Sequence, residues 1–571
     1  MQWNAPDVPD PARVHAQLIK SRSTGGAHTA AEARFYYNQL IALYSRSPST
    51  IPDALRLFHR LPVSPNAASW TSAISALSSD PSSAASLFLS MLRRPSLPTQ
   101  STISALLKIL SFSSLYLPLG LQLHSLSLKL SLSSLPFSGS ALIGFYSKHR
   151  LPSDALKAFD EIPNPDEVCF AAVIVGLAQN HRPAQSLSLF HEMHAGGISS
   201  TIYSVSSAIR AAAESAALDQ TRLIHAHTIV TGLNPNSIVG TALLNAYGKA
   251  GLVSDAHQAF DELSCAGKAN LVTWNALLSA YAQQGDATSA KQLFDQMLER
   301  NLAPDEYTFL AILTAYSNSG LVDETENWLN EMRTLYGVEP GIEHYSCLLG
   351  AMARAGRLDE AERFVLEMPF EPDAAVWRTL LSSCMVHSNA DIGRRAAGRL
   401  LELDPQDDSA YVMLAKIYSF VGRKGEMAKM WTTMRDHGVR KEGGRSWIEV
   451  AGGVHVFVAG DRQHERASEI YAKVRELEME TGKLGYVEKG GEGVWEHSER
   501  LAVAMGLISN GGGTAADGQP ALRVIKNLRI CGDCHEFFKY VSRIIGRDIV
   551  VRDVNRYHRF EEGACSCKDC W

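Results

Sequence analysis

The 571-residue sequence lacks any uninterrupted run of about 18 apolar residues, so no membrane-spanning helix is expected. Its nearest candidate, Leu110 to Phe137, is broken by Pro118, His124 and Lys129 and reads as packed helices. A surplus of positive charge is also missing. The chain has 54 Lys and Arg against 60 Asp and Glu, so nucleic acid would have to be met by a local face. Met1 to Ala12 carries Asp7 and Asp10 but no Arg, unlike an Arg-rich transit peptide. No clustered carboxylates suggest a two-metal nuclease. Asn510-Gly-Gly-Gly513 is not followed by Gly-Lys-Ser/Thr and reads as a flexible loop rather than a phosphate cradle. The nine cysteines are odd in number, and five fall between Cys531 and Cys570, which suits metal ligation better than a disulfide framework.

What the chain has is repetition. It is too long for one hydrophobic core, and Asp53-Ala54 with Phe58 recurs as Asp154-Ala155 with Phe159 and as Asp255-Ala256 with Phe260. A shorter rhythm divides this step: Leu244, Leu278, Leu313 and Leu349 recur with Tyr247, Tyr281 and Tyr316, and Gly251, Gly285, Gly320 and Gly356 mark one turn each time. Within a unit, Trp274, Leu277, Leu278 and Tyr281 have helical spacing, as do Ala290, Leu293, Phe294 and Met297. Two short amphipathic helices cannot bury their stripes alone, so neighbouring units must stack.

The Trp274 to Leu278 helix start, Phe294-x-x-Met297 and the Pro304-Asp305 turn resemble pentatricopeptide repeats, and unequal units in threes are similar to the PLS subfamily of plant organelles. Such repeats read one RNA base each with two or three side chains. The resemblance implies reader pairs Asn38/Asn66, Ser140/Asp166, Thr241/Asn270, Asn275/Asp305 and Ser346/Asp373; Thr71/Thr99 departs from the common combinations. It further implies A at Thr241/Asn270, U at Asn275/Asp305 and a pyrimidine at Asn38/Asn66. After Asp373, a helical stretch to Arg440 resembles the family's E motifs. Trp447 to Val450 and Val454 to Val458 alternate around Gly452-Gly453 as a hairpin resembling the PG box, with Gly443 where Pro is usual, and a charged helix is expected over Glu465 to Met479.

The tail carries chemistry. His497-x-Glu499 followed by Cys531-x-x-Cys534 is the ordered ligand and proton-shuttle pattern of zinc deaminases. His497, Cys531 and Cys534 supply three ligands and leave a fourth position for water, with Glu499 placed to move its proton. His535, His558, Cys565 and Cys567 could close a second, structural tetrahedral site. These residues, with Val551-Arg-Asp553 and Tyr557-His-Arg-Phe560, resemble the DYW deaminase domain of plant organelle RNA-editing factors. The chain departs from that family in ending Asp569-Cys570-Trp571, in a shorter approach to His497 and in Ile530 before Cys531. Between Ala521 and Phe560, nine Lys and Arg face four Asp and Glu, a local surplus that could attract phosphate.

The expected fold is mostly α: a right-handed α-solenoid of helix-turn-helix repeats, then a small zinc-binding α/β cytidine-deaminase-like domain. The expected divisions are residues 1–373 for the repeats, 374–440 for the E motifs, 441–490 for the PG-box hairpin and helix, and 491–571 for the DYW domain. The resemblance implies two zinc ions per chain, single-stranded organellar RNA as substrate, accessory editing factors as partners, and a mitochondrial or chloroplast location, with mitochondrion favoured on family frequency. The implied reaction is site-specific C-to-U deamination. The alternative is a non-catalytic RNA-binding adaptor.

Overall fold

The structure, a computed structural model, describes residues 15–16, 30–61, 64–487, 497–509 and 521–569. The readings of Met1 to Ala12, of Asn510 to Gly513, of the terminal Trp571 and of the short approach to His497 lie outside these. The chain falls into two compact units, residues 1–211 and 212–571.

Both units contain helix pairs built as the periodicity requires. In the second, α1 (Ser237–Lys249), α2 (Leu271–Gln284) and α3 (Glu306–Asn318) are the first helices of successive pairs, partnered by Val253–Cys265, Ala287–Glu299 and Val322–Thr334. The recurring Leu244, Leu278, Leu313 and Leu349 are all fully buried. Gly251, Gly285, Gly320 and Gly356 all have positive φ, between 70° and 75°, where a Cβ would be strained; this backbone demand fixes the glycine of each unit. The 101-residue step has a packing cause. Phe58 meets Trp70 edge-on at 4.9 Å, Phe159 meets Phe170 at 4.9 Å, and Phe260 meets Trp274 at 4.7 Å. Each second helix thus plants one ring against the first helix of the next pair. Leu110 to Phe137 holds the helix Leu117–Lys129 between the ends of its two neighbours, as expected of packed helices, and no described helix is long and apolar enough to cross a membrane.

The tail of the second unit is a six-stranded sheet in the order β2-β1-β3-β4-β5-β6. Its strands are β1 (Arg445–Val450), β2 (Gly453–Val458), β3 (Leu522–Lys526), β4 (Ile549–Arg552), β5 (Tyr557–Glu561) and β6 (Ala564–Cys565). Only β3 and β4 run parallel, joined through α6 (Gly532–Ile545); α4 (Ala467–Lys483) and α5 (Ser498–Ser509) complete the layer. The expected hairpin is present, turning through Ala451 and Gly452, both with positive φ as a tight two-residue hairpin demands.

The sheet and the core both continue across the expected division at residue 490. β1 pairs antiparallel with β3, and Ile448, Phe457, Ile470, Val474 and Leu477 share one core with Leu501, Val524 and Phe538. Without β1, the β3 edge would be left unpaired, so hairpin, helix and the segment from His497 onward are one folding body.

That body is seated on the repeats of its own unit. Tyr557 donates its hydroxyl to Gly248 O at 3.0 Å and also to Lys249 O; Arg523 donates to Ala250 O at 2.8 Å, and Arg556 to Asn318 O at 2.8 Å. Helix C-termini present unsatisfied carbonyls and partial negative charge, so cationic donors are the natural complement. Gly251 is doubly constrained here, since a Cβ would lie 3.0 Å from the Tyr557 ring. At least five of the nine Lys and Arg residues between Ala521 and Phe560 are engaged in contacts of this kind or in ion pairs. Arg523 and Arg556 cap helices, Arg529 holds Ser382, Lys526 pairs with Glu499, and Arg559 pairs with Asp548.

Candidate functional site

Two helix N-termini converge on the first candidate metal site. His497 directly precedes α5, which carries Glu499 in its first turn, and Cys531 is the N-cap of α6, its sulfur accepting from Cys534 N at 3.4 Å. The positive ends of both helices favour the anionic sulfur and carboxylate groups gathered there. His497 Nδ1 lies 3.4 Å from both Cys531 Sγ and Cys534 Sγ, and one donor atom from each of His497, Glu499, Cys531 and Cys534 falls within 4.8 Å of the others. The donor set fits a zinc ion.

Glu499 is completely buried. Its Oε2 is 2.5 Å from Lys526 Nζ, while Oε1 is 4.0 Å from His497 Nδ1, so one oxygen is anchored and the other turned to the ligand cluster. Burial pushes this carboxyl up, but Lys526 and His497 outweigh it and hold it below its ordinary value. The two thiols separate. The hydrogen bond with Cys534, against burial and with help from His497, pulls Cys531 well down, whereas burial and Cys531 push Cys534 well up. Arg500 is also buried; it donates Nε to Cys534 Sγ at 3.3 Å and Nη2 to the Tyr486 hydroxyl at 3.0 Å.

The second cluster is assembled from α6, β5, β6 and the turn after it. His535, His558, Cys565 and Cys567 are all buried with donor atoms within 4.8 Å of one another, His535 Nε2 lying 3.1 Å from Cys567 Sγ and His558 Nδ1 3.7 Å from Cys565 Sγ. The other His558 nitrogen is 3.5 Å from Asp553 Oδ2, which is the usual carboxylate support of a metal-bound histidine. Burial raises Asp553, but His558 and the Arg556 and Asn555 N–H groups bring it to about 2. The same carboxylate accepts from Ile530 N at 3.1 Å, beside Cys531, and so ties the two clusters together. The sequence marked Asp553 only as part of a matching run, and neither Lys526, Arg500 nor Asp553 has a spacing signal that reveals its partner.

The expected RNA readers occupy two different structural positions. Asn66, Asp166, Asn270, Asp305 and Asp373 are helix N-caps whose side-chain oxygens accept the third N–H of the next helix, and Thr99 does the same. Capping alone gives Asn, Asp and Thr a reason to recur there, which the sequence reading missed. Thr241 and Asn275 lie within α1 and α2, and Ser140 and Ser346 within Pro136–Lys148 and Ile342–Arg354. Asn275 and Asp305 are brought together, Nδ2 donating to Oδ1 at 2.9 Å, and Thr308 donates to both, at 2.7 Å and 2.9 Å. Thr241 is 3.3 Å from Thr273, the residue capped by Asn270. Ser140 and Ser346 hydroxyls return to the backbone oxygens of Phe137 and Ile342, and Asn38 Oδ1 is buried without a hydrogen-bond partner.

Asp305 separates capping from reading. Asp305→Ala should cost about 1 kcal/mol through loss of the cap, whereas Asp305→Asn keeps the cap and changes only the group offered to a base. Thermal unfolding and binding to RNAs varied at one position are expected to show lower stability for the first and altered base preference without lower stability for the second. Equal base preference in wild type and Asp305→Asn would sink the reading role.

The family model of the DYW family of nucleic acid deaminases matches residues 483–571, and the E motif matches 387–449. Pentatricopeptide repeat models match 140–164, 168–198, 241–267, 269–317, 307–335 and 343–371. Among Arabidopsis thaliana proteins, pentatricopeptide repeat-containing protein At4g33170 is 36% identical over 79% of this chain, which spans 46% of that protein. The putative pentatricopeptide repeat-containing protein At3g13770, mitochondrial, is 34% identical over 98% of this chain and 89% of its own length, and At3g49170, chloroplastic, is 34% identical over 79% of this chain and 54% of its own. A solved structure of the pentatricopeptide repeat protein PPR10 with an 18-nt psaJ RNA element aligns at TM-score 0.61 and 20% identity, over 76% of this chain and 65% of that one, a likeness of fold. With 34% identity along almost its whole length, repeats, E motif and deaminase-family tail in one order, the chain belongs to the pentatricopeptide repeat proteins that carry E and DYW domains.

Proposed function

We propose that this chain is an RNA editing factor that deaminates a selected cytidine to uridine in an organellar transcript. The observation that carries the reading is Glu499. It is a fully buried carboxylate with one oxygen anchored by Lys526 and the other directed at the His497, Cys531 and Cys534 donors. A zinc ion held by those three residues would supply Lewis acidity that makes water a nucleophile near neutral pH. Glu499 accepts one proton from the attacking water and passes it to ring N3, then carries the proton of the new C4 hydroxyl to the departing amine. The new bond is C4–O, the broken one C4–N4, and the products are uridine and ammonia. His535, His558, Cys565 and Cys567 would hold a second, structural zinc.

The repeats address the reaction. Single-stranded RNA lies along the pairs Asn38/Asn66, Ser140/Asp166, Thr241/Asn270, Asn275/Asp305 and Ser346/Asp373, with Asp305 Oδ2 left for a base once Oδ1 is engaged by Asn275 and Thr308. Relatives named both mitochondrial and chloroplastic support an organelle and do not favour mitochondrion over chloroplast.

A second reading, a non-catalytic RNA-binding adaptor, is favoured by the complete burial of Glu499 and its pairing with Lys526, which close the carboxylate to solvent. Sequencing of organellar cDNA from plants lacking this chain tests the proposal. At least one cytidine normally read as uridine is expected to stay unedited, and to be edited again when the wild-type chain returns. Full editing of every site in its absence would reject it. Restoration by the Glu499→Ala chain would leave the adaptor.

A further inference from the structure

Arg500 follows the proton-shuttle residue and has no part in the chemistry above. It lies three residues after His497, so helical spacing turns both toward the same side, where Cys534 sits. The side chain is 1% exposed. Its Nε–H points at Cys534 Sγ at 3.3 Å, its Nη2 donates to Tyr486 at 3.0 Å, and its Cζ lies 4.1 Å from the centre of the Phe537 ring. The Tyr486 hydroxyl in turn donates to Asp533 O at 3.4 Å, beside the same ligand.

A permanently charged guanidinium is costly to bury, and it needs strong acceptors and aromatic faces around it. Here the acceptor includes a metal-ligating sulfur. Cys531 is treated differently, its sulfur receiving a backbone N–H from the turn it caps. The two sulfurs of one site therefore have different donors, one neutral and one cationic.

We propose that Arg500 is a positioning residue of the first metal site: it orients the Cys534 sulfur and balances its charge, and so sets how firmly that site holds zinc. The proposal rests on the assignment of His497, Cys531 and Cys534 as zinc ligands. Partners of this kind change metal affinity by about 10- to 100-fold.

The test uses the full chain and zinc alone, with a chromophoric chelator as competitor. Wild type is expected to hold two zinc ions; fewer would overturn the zinc assignment itself, before any variant is made, and this proposal with it. Arg500→Gln is expected to weaken one of the two sites by about 10- to 100-fold and leave the other unchanged. Arg500→Lys, which restores charge without the planar fork, should fall between them. In cobalt-loaded protein, the sulfur-to-cobalt charge-transfer band should move to lower energy in Arg500→Gln, because a sulfur relieved of its hydrogen bond is the better donor. Tyr486→Phe, which keeps the Cys534 contact, should retain both sites. Wild-type affinity with an unmoved band in Arg500→Gln would overturn the proposal. So would equal weakening of both sites with a lowered melting temperature, or equal loss in Tyr486→Phe, since each marks a role in packing only.

Discussion

Glu499→Gln is expected to remove cytidine deamination, by about a hundredfold to ten-thousandfold in rate, while RNA affinity and zinc content stay at wild-type values. Glutamine has the shape of glutamate and can still accept from Lys526 at the position of Oε2, so the 2.5 Å contact has a successor and the core around α5 is preserved. It cannot take a proton from water at any useful pH. The separation of outcomes matters because the residue is fully buried: Glu499→Ala leaves the Lys526 cation facing a void, and loss of activity could then reflect loss of structure. Single-turnover conversion of a cognate RNA, with zinc analysis of the same preparation, reads both quantities. Conversion at the wild-type rate by a two-zinc Glu499→Gln chain would eliminate Glu499 as the proton carrier.

His558→Ala is expected to have the largest effect on structure. His558 links Cys565 on one side of its ring to Asp553 on the other, so its removal opens a four-ligand site and strands a buried carboxylate together. Structural zinc sites contribute folding free energy directly, about 10 kcal/mol or more in small zinc peptides. The variant should hold at least one zinc fewer and lose hydrogen-exchange protection along β4, β5 and β6. Because Asp553 also accepts from Ile530 N, the loss should reach Cys531 and weaken the first site too. A variant with two zinc ions and wild-type protection would show that this cluster does not hold a structural metal.

The repeats and both donor sets were legible because their constraints are local or periodic. Stacked pairs require the same residue at the same place, so Leu244, Gly251 and Phe260 announce themselves by recurrence. The cysteines of the two clusters fall in pairs, Cys531/Cys534 and Cys565/Cys567, separated by one or two residues, a distance that a single turn keeps together. Another recurrent pair went unread: His124 Nδ1 meets the Tyr146 hydroxyl at 2.7 Å, and His225 Nδ1 meets that of Tyr247 at 2.8 Å, each pair displaced by the same step as the phenylalanines.

What remained hidden depends on pairing across long stretches of chain. Lys526 reaches Glu499, Arg500 reaches Cys534 and Tyr557 reaches Gly248, and nothing in the order of residues records these meetings. The N-caps were hidden for another reason. Asn270 and Asp305 satisfy a backbone demand and, under the proposed function, a recognition demand with one side chain, and a sequence displays the residue without saying which demand selected it.

The seating of Tyr557 and Arg556 on the ends of α1 and α3 constrains how such a chain can change its address. From Gly248 onward, the run of repeats is a ruler of fixed length: an added or lost pair would carry Asn318 away from Arg556 while Gly248 stayed with Tyr557. Ahead of Asp219, whose N–H donates to Glu449 Oε2 at 3.0 Å, no such measure is seen among the described residues, and the 101-residue block from Phe58 to Phe159 meets an aromatic ring at both joints. Under the proposed function, duplication or loss of whole blocks there would lengthen or shorten the recognised message in steps of three units and leave the distance from ruler to the His497, Cys531 and Cys534 cluster untouched.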